Sequence, residues 1–157
     1  MEANHTLNEL RHILQETARL LARVKETEMK LQCHIARGQT REIQELEQQR
    51  DRLQREVSDL EAKRTLLIPS GSGVRTYIKE HATPREREEF LSLLEEIGGL
   101  IYQVQNHQEV NRSLLEERIR FTREMQELLL PTAKTYDPSG QVNYRDGARN
   151  SQIDRSC

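Results

Sequence analysis

Three features of the sequence use residue types that could do chemistry: a Glu-x-x-His spacing near the N-terminus, five histidines and two cysteines. Glu9 and His12 have the spacing by which di-iron helical bundles hold their metals, but such sites need a second copy of the motif and further inward-facing glutamates. The sequence has no second copy, and its histidines are dispersed without the His-Glu-x-x-His spacing of zinc enzymes. We therefore expect Glu9 and His12 to be surface residues, and we expect no metal site and no cofactor.

Nucleophilic catalysis and phosphate binding are not indicated either. Cys33 and Cys157 lie far apart in the sequence without a CxxC partner, and neither a GxSxG elbow nor a convincing Cys–His pair is present. The segment 70–73, Ser-Gly-Ser-Gly, lacks the lysine of a phosphate-binding loop and is expected to be a linker. We expect two free thiols in a reducing cytosol, no catalytic residue, and therefore a protein that is not an enzyme.

Composition narrows the class of protein further. Only 34% of the 157 residues are hydrophobic, well below the roughly 45–50% of globular domains, so a thick core that encloses a substrate pocket is not expected. The formal net charge is only −2, which gives no global field to attract nucleic acid or an anionic membrane. No apolar run approaches the roughly 20 residues of a membrane span, and the polar N-terminus lacks a signal-peptide core. We therefore expect a cytoplasmic protein.

Two N-terminal segments carry the apolar repeat of a coiled coil. In both, at about 6–37 and about 40–68, apolar positions recur in alternating steps of three and four residues, which keeps one stripe of each helix facing a partner. Gly38 can end the first helix in a left-handed conformation, and Pro69 ends the second. The short connection between them predicts that the two helices fold back into an antiparallel hairpin.

A third helix is predicted at about 84–130. Thr83 and Glu86 have the spacing of a capping box, with a proline at the first helical position between them. Pro131 ends this helix. The connecting segment 69–83 is expected to be a linker in which residues 74–81 form one or two short helical turns.

The sequence therefore predicts an all-α fold, in which an elongated antiparallel helical hairpin and a long third helix form a three-helix coiled-coil bundle over residues 1–131. After residue 131 the periodicity ends and the composition becomes polar and turn-rich. Residues 132–157 are accordingly predicted to form a flexible, disordered C-terminal tail. Tyr136 and Tyr144 are unusual in such a tail and suggest a recognition element, with chance placement as the alternative.

One polar layer is predicted inside the bundle. Pairing the two stripes outward from the turn sets Glu28 opposite Arg50, so that each helix interrupts its apolar stripe at the same level with an opposite charge. A matched pair of buried charges fixes the register of a hairpin; the alternative is that both side chains reach out to solvent. If Phe90 lies level with Leu7, the third helix runs parallel to the first and brings Asn111 to the same layer.

The predicted lengths leave part of the third helix without a partner. At 1.5 Å per residue the first helix spans roughly 45–50 Å and the third roughly 70 Å, so the last turns of the third helix would extend past the hairpin. Those turns carry four apolar residues: Phe121, Met125, Leu128 and Leu129. An exposed apolar stripe of this kind usually marks a binding site for a partner helix. Self-association of the same stripe, or a bend at Gly98-Gly99 that folds it back, would explain the pattern equally well.

Two segments of the C-terminal half resemble FlgN-type flagellar export chaperones. In segment 110–117 (VNRSLLEE), Asn111 is followed by the leucine pair Leu114 and Leu115, as in the amphipathic helix of that family, and segment 135–141 (TYDPSGQ) has its Tyr-x-x-x-Gly-Gln tail. The N-terminal hairpin, with a glutamate before its turn and a basic residue after it, is also similar. The resemblance covers most of the chain.

This resemblance implies a cytosolic, ATP-independent chaperone that binds the C-terminal amphipathic helix of flagellar hook-associated (hook–filament junction) proteins and delivers them to the type III export apparatus. It also implies that Tyr136 is the candidate contact with the export gate. The candidate partner-binding residues are Asn111, Leu114, Leu115, Ile119, Phe121, Met125, Leu128 and Leu129. The alternative, from another class, is a structural coiled-coil adaptor or stalk that self-assembles through its heptads. A cargo-free chaperone could likewise form a homo-oligomer.

Overall fold

The computed structural model describes residues 2–68, 73–129, 134–136 and 142–144. Within these residues lie four α-helices and two short strands: α1 Glu2–Arg37, α2 Thr40–Leu67, α3 Val74–His81, α4 Pro84–Leu129, β1 Lys134–Tyr136 and β2 Val142–Tyr144. The chain divides into two compact units, Met1–Leu115 and Glu116–Cys157. The prediction of an all-α helical bundle is confirmed, and the long helices begin and end within a few residues of the predicted positions.

A two-residue turn at Gly38 and Gln39 joins α1 to α2. Gly38 has a φ of 72°, in the left-handed region that glycine adopts at little cost and that the sequence predicts for this position. The Gly38 N–H donates to the Ile35 carbonyl and the Gln39 N–H to the His34 carbonyl, each at 3.1 Å. These bonds satisfy carbonyls at the end of α1, and the chain then reverses into α2 as an antiparallel hairpin.

Most of the hydrophobic core is provided by α1. Its buried face is wider than a single stripe with alternating steps of three and four residues. The buried residues of α1 are Leu7, Leu10, Ile13, Leu14, Ala18, Leu20, Leu21, Val24, Thr27, Glu28, Leu31 and Ile35. In α2, by contrast, Leu53 is the buried residue. A helix with so wide a buried face packs against neighbours on more than one side, so α1 is the central helix of the bundle.

Two clusters of buried side chains show how the helices pack. The larger cluster combines residues of α1, α3 and α4 with two residues that flank α2 and α3, and contains Leu7, Leu10, Leu14, Ala18, Leu21, Ile68, Tyr77, Ile78, Ala82, Phe90 and Ile97. The smaller joins α1, α2 and α4 and contains Leu20, Val24, Leu53 and Val104. Since Phe90 near the start of α4 belongs to the cluster of Leu7, and Val104 farther along to the cluster of Val24, α4 runs parallel to α1.

The short helix α3 lies in the segment 69–83, for which the sequence predicts a linker with one or two helical turns. The long third helix of the sequence prediction is therefore α4. Its eight residues place Tyr77 and Ile78 in the core, 6% and 2% exposed. The His81 ring stacks on the Tyr77 ring with centroids 4.3 Å apart. Residues 74–81 are therefore a packed helix that adds to the core, although two turns are too short to reveal a heptad period. Residues 69–72 lie outside the described residues.

The fourth helix is uninterrupted from Pro84 to Leu129. The glycine pair Gly98-Gly99 lies within it, and a Cβ atom built on either glycine would meet no other atom within 4 Å. The pair therefore does not end the helix, and no close packing against other described residues requires it.

Beyond α4, the strands β1 and β2 pair antiparallel, with Lys134 opposite Tyr144 and Tyr136 opposite Val142. Both strands lie in the segment 132–157, for which the sequence predicts a disordered tail. Threonine, tyrosine and valine favour strands, so these six residues carry a hairpin that periodicity over so short a length does not reveal. The rest of the predicted tail lies outside the described residues.

The start of α4 has the predicted capping box. The Glu86 carboxylate accepts hydrogen bonds from the Thr83 backbone N–H at 2.9 Å and from the Thr83 hydroxyl at 2.7 Å, and the Glu86 N–H donates to the hydroxyl oxygen at 3.4 Å. Arg11 of α1 donates to the same carboxylate at 3.3 Å. The Thr83 hydroxyl first, then the Thr83 N–H and Arg11, lower the pKa of Glu86 below its ordinary value by stabilising the ionised form.

Glu86→Gln is expected to lower the melting temperature near neutral pH, because a neutral amide accepts these hydrogen bonds more weakly than a carboxylate. The folded pKa of Glu86 lies below its unfolded value, so the stabilisation is present above the unfolded pKa and is lost as the pH falls through the folded pKa. The difference in melting temperature from the wild type should therefore shrink in acid, as followed by circular dichroism. Glu88→Gln, the matched change in the same turn, should show no such pattern. An equal effect of both substitutions would contradict the capping role.

Candidate functional site

A buried polar layer lies where α1, α2 and α4 meet. Glu28 of α1 is completely buried, with 0% of its surface exposed. Its carboxylate accepts a hydrogen bond from Asn111 Nδ2 at 2.8 Å and another from Gln108 Nε2 at 3.2 Å. Asn111 Nδ2 also donates to the Glu28 backbone carbonyl at 2.9 Å. Side-chain amides of α4 therefore join that helix to α1, at the level where the heptad register predicts Asn111.

Arg50 of α2 supplies the positive charge beside this carboxylate. Its Nη1 atom lies 3.9 Å from Glu28 Oε1, which is too long for a hydrogen bond but close enough for electrostatic attraction. The Arg50 side chain is 26% exposed and also lies 3.4 Å from Asp51. Glu28 and Arg50 thus occupy one level, as the register predicts, while the arginine remains partly in solvent and the direct hydrogen bonds come from α4.

Gln108 is a member of this layer that the sequence did not single out. A glutamine in the middle of a charged helix is typical of a solvated position. The sequence feature that could have indicated its burial is its position three residues before Asn111, because side chains at i and i+3 share a helix face. Asn111 Oδ1 is buried without a hydrogen-bond partner among the described residues. The opposite amide orientation would turn this oxygen towards the Glu28 carboxylate, so the carboxylate fixes the orientation.

The first three candidate partner-binding residues along α4 are not equally accessible to solvent. Asn111 is 4% exposed, so its contribution is to the polar layer rather than to a surface open to a partner. Leu114 and Leu115 are half-buried. From Glu116 to Leu129, every residue of α4 is exposed.

Four apolar side chains near the end of α4 share one exposed face, which we call the apolar stripe. Its members Phe121, Met125, Leu128 and Leu129 are 62%, 37%, 76% and 72% exposed, respectively. At about 100° per residue, Met125 and Leu128 lie within about 40° of Phe121 around the helix, and Leu129 lies about 80° away. Ile119 is 39% exposed but lies about 160° from Phe121, on the other side of the helix. The stripe therefore contains four of the predicted residues and not Ile119.

By its described fold, the chain belongs to the class of helical bundles built on an antiparallel hairpin. Its longest helix, α4, carries the exposed apolar stripe. The chain matches the FlgN protein family over residues 1–143, and it therefore belongs to that family of flagellar export chaperones. FlgN is a family of chaperones rather than of enzymes. No curated protein and no solved structure matches the chain.

None of the described helices combines the length and the apolar composition needed to cross a membrane. No group of three or more histidine, cysteine, aspartate or glutamate side chains within the described part of the chain could hold a metal ion.

Asn111→Ala is expected to lower the free energy of unfolding by about 2–3 kcal/mol, because it removes the shortest hydrogen bond to a buried carboxylate. In a double-mutant cycle measured by urea unfolding, Asn111→Ala and Glu28→Ala should couple by about 1–3 kcal/mol. Arg50→Ala should couple to Glu28→Ala more weakly, since its guanidinium is farther away and partly solvated. Arg55→Ala, an exposed arginine on α2, is the control and should be near neutral. Additive effects of Asn111→Ala and Glu28→Ala would contradict the polar layer.

Proposed function

We propose that this protein is a cytoplasmic, ATP-independent chaperone that binds the C-terminal amphipathic helix of flagellar hook-associated proteins and delivers them to the flagellar type III export apparatus. Membership of the FlgN family supports the chaperone class and the flagellar context. The observation that carries the cargo-binding part is the apolar stripe, which exposes four large side chains on one face of α4. The proposed partners are therefore the hook-associated proteins as cargo and the components of the export apparatus.

Burial of the stripe is sufficient in magnitude to support specific binding. Four side chains of this size contribute on the order of 6–12 kcal/mol when they are removed from water, before ordering and association costs are subtracted. An amphipathic cargo helix that lies along α4 would cover them with its own apolar face. Micromolar or tighter binding is thus within reach without any nucleotide, which agrees with an ATP-independent chaperone.

The charged residues beside the stripe favour one kind of cargo helix. Glu117 and Glu124 are exposed and lie within about 60° of Phe121, both on the same side of it. Glu124 also pairs with Arg120 along the helix, at 4.0 Å between side chains that are 62% and 73% exposed, so this pair is easily exchanged for another partner. A cargo helix with lysine or arginine along the matching edge of its apolar face would be favoured electrostatically.

Tyr136 is proposed as the contact with the export gate. It is the last residue of β1 and lies opposite Val142 of β2. A tyrosine suits a contact surface because its ring is apolar and its hydroxyl can form a hydrogen bond. The role assigned to this residue depends on the family resemblance of segment 135–141 and on its place in a described hairpin.

Met125→Arg and Leu128→Arg are each expected to weaken binding of a peptide from the C-terminal helix of a hook-associated protein by about tenfold or more. Each substitution removes an apolar contact worth about 1.5–3 kcal/mol and introduces a charge. Fluorescence anisotropy with a labelled peptide and the full-length chaperone measures the change in Kd directly.

Matched substitutions separate the stripe from a general effect of added charge. Met29→Arg and Leu66→Arg replace a methionine and a leucine that are 47% and 87% exposed on α1 and α2, and Ile119→Arg tests the opposite side of α4. These three controls should bind the peptide as the wild type does. Equal losses in the controls would contradict the assignment of the stripe. Normal peptide binding in the stripe variants, together with dissociation of an oligomer, would favour the structural adaptor instead.

Tyr136→Ala is expected to leave peptide binding unchanged and to reduce secretion of hook-associated proteins, because it removes the proposed gate contact but not the cargo surface. Secreted protein and swimming motility of a complemented deletion strain are the measurements. Tyr144→Ala, on the paired strand, tests whether the hairpin alone matters. Normal secretion by Tyr136→Ala, or an equal defect in Tyr144→Ala, would contradict a specific contact by Tyr136.

A further inference from the structure

An open groove lies between α1 and the first turns of α4, within the unit Met1–Leu115. Its volume is about 550 Å³. The residues that line it include Arg11, Gln15, Glu89, Phe90, Leu93 and Glu96. We call this surface the α1–α4 groove. It contains no residue of the apolar stripe and none of the buried polar layer.

Arg11 forms a fixed wall of the α1–α4 groove. Its guanidinium carbon lies 5.3 Å from the centroid of the Phe90 ring. Its Nη1 donates to Asn8 Oδ1 at 3.1 Å, and its Nη2 donates to Glu86 Oε1 at 3.3 Å. Because Glu86 already compensates the charge of Arg11, this guanidinium does not neutralise the other carboxylates around the groove.

The other charged groups leave the groove negative. Glu89 lies 3.9 Å from Arg11 and 3.6 Å from Arg85, but the Arg85 side chain is 89% exposed, so that pair is easily exchanged for another partner. Glu88 and Glu96 are both exposed and form no ion pair with any described residue. Four carboxylates and two guanidinium groups therefore surround the groove, which favours a positively charged partner.

The spacing of the groove residues suits a helix. Glu89 and Glu96 are seven residues apart, which places them about 10.5 Å apart along α4 and within about 20° of each other around it. Leu93 lies between them and is half-buried. A second helix that lies along the groove has the same seven-residue repeat. Two of its side chains seven residues apart would therefore meet the two carboxylates, and one side chain between them would meet Leu93.

We propose that the α1–α4 groove docks a basic amphipathic helix of a partner protein, in which two lysine or arginine residues lie seven apart with one apolar residue between them. The basic residues pair with Glu89 and Glu96, and the apolar residue packs on Leu93. A small organic molecule fits less well, because its sites are concave and mostly apolar, whereas this groove is open and has carboxylates along its edge. Exposed ion pairs stabilise a complex only weakly, so the docking is transient.

Three alanine-based helical peptides serve as probes. The first carries two lysines seven residues apart with a leucine between them, the second has glutamates in place of the lysines, and the third has its two lysines five apart, on different faces. Amide chemical shifts of the isotope-labelled full chain at low salt measure Kd and locate each peptide. The first peptide should shift the amides of Gln15 and Leu93 with a Kd of about 1 mM or lower. The other two should bind at least about fivefold more weakly.

Charge reversal on α4 tests the two carboxylates with a matched control. Glu96→Lys should weaken binding of the first peptide at least about fivefold, because attraction becomes repulsion. Glu95→Lys changes the net charge equally but lies about 100° from Glu96 around the helix, and it should bind as the wild type does. In Glu89→Lys/Glu96→Lys the glutamate peptide should bind instead. If Glu89→Lys lowers the melting temperature because it lies beside Arg11, Glu96→Lys alone decides.

A photo-reactive amino acid in place of Gln15 tests the natural partner in cells. The segment it cross-links should carry two basic residues seven apart around an apolar one, and the cross-link should be lost in Glu96→Lys but kept in Glu95→Lys. A cross-linked segment without that pattern, equal losses in both variants, or a first peptide that does not shift Gln15 and Leu93 would overturn the proposal.

Binding of the cargo peptide separates this proposal from the proposed function. Glu96→Lys should bind the labelled cargo peptide as the wild type does, because the α1–α4 groove and the apolar stripe share no residue. Loss of cargo binding in Glu96→Lys would assign the groove to cargo and overturn the proposal of a second partner. Normal cargo binding without binding of the first peptide would overturn this proposal alone.

Discussion

The rest of the bundle depends on the burial of one carboxylate. Glu28 has no contact with solvent, and an ionised carboxylate in that position is costly unless hydrogen bonds and a nearby positive charge compensate for the lost water. Asn111 and Gln108 provide the hydrogen bonds, and Arg50 provides the charge. These compensating groups come from two other helices, α2 and α4. A single buried group therefore constrains the relative positions of three helices.

This constraint specifies register where the apolar residues alone would not. Leucines and isoleucines recur along all three stripes, so a hairpin shifted by one heptad would bury nearly the same apolar area. In the α1–α2 pair, such a shift would set Glu28 opposite Ile43 or Val57 instead of Arg50, leaving the carboxylate beside apolar groups. The charged layer thus selects one register from several of similar hydrophobic energy, and the position of α4 along α1 follows from it.

Counting residues outward from a well-defined turn explains how much of this arrangement could be predicted from the sequence. Gly38 marks the turn, and the heptads on both sides of it are regular. Counting residues outward from the turn therefore places Glu28 and Arg50 at the same level. The capping box of Thr83 and Glu86 was equally predictable, since it depends on neighbours in the sequence. Gln108 was not, because a polar side chain in a polar helix gives no sign of burial. One or two helical turns were expected at residues 74–81, but the packing of α3 into the core and the β-hairpin were not predicted, because each element is shorter than the period that would reveal it.

The low apolar content has a consequence for the outer faces of α4. Because α1 is the central helix, its neighbours need to bury only the side that faces it, and α2 buries little beyond Leu53. Yet the exposed apolar stripe near the end of α4 carries four large apolar side chains. The chain has few apolar residues, so those that are exposed are not available to the core. Exposed apolar area is also unfavourable for solubility unless other molecules cover it. The distribution of apolar residues, rather than their number, is therefore the physical feature that supports the proposed binding of other chains.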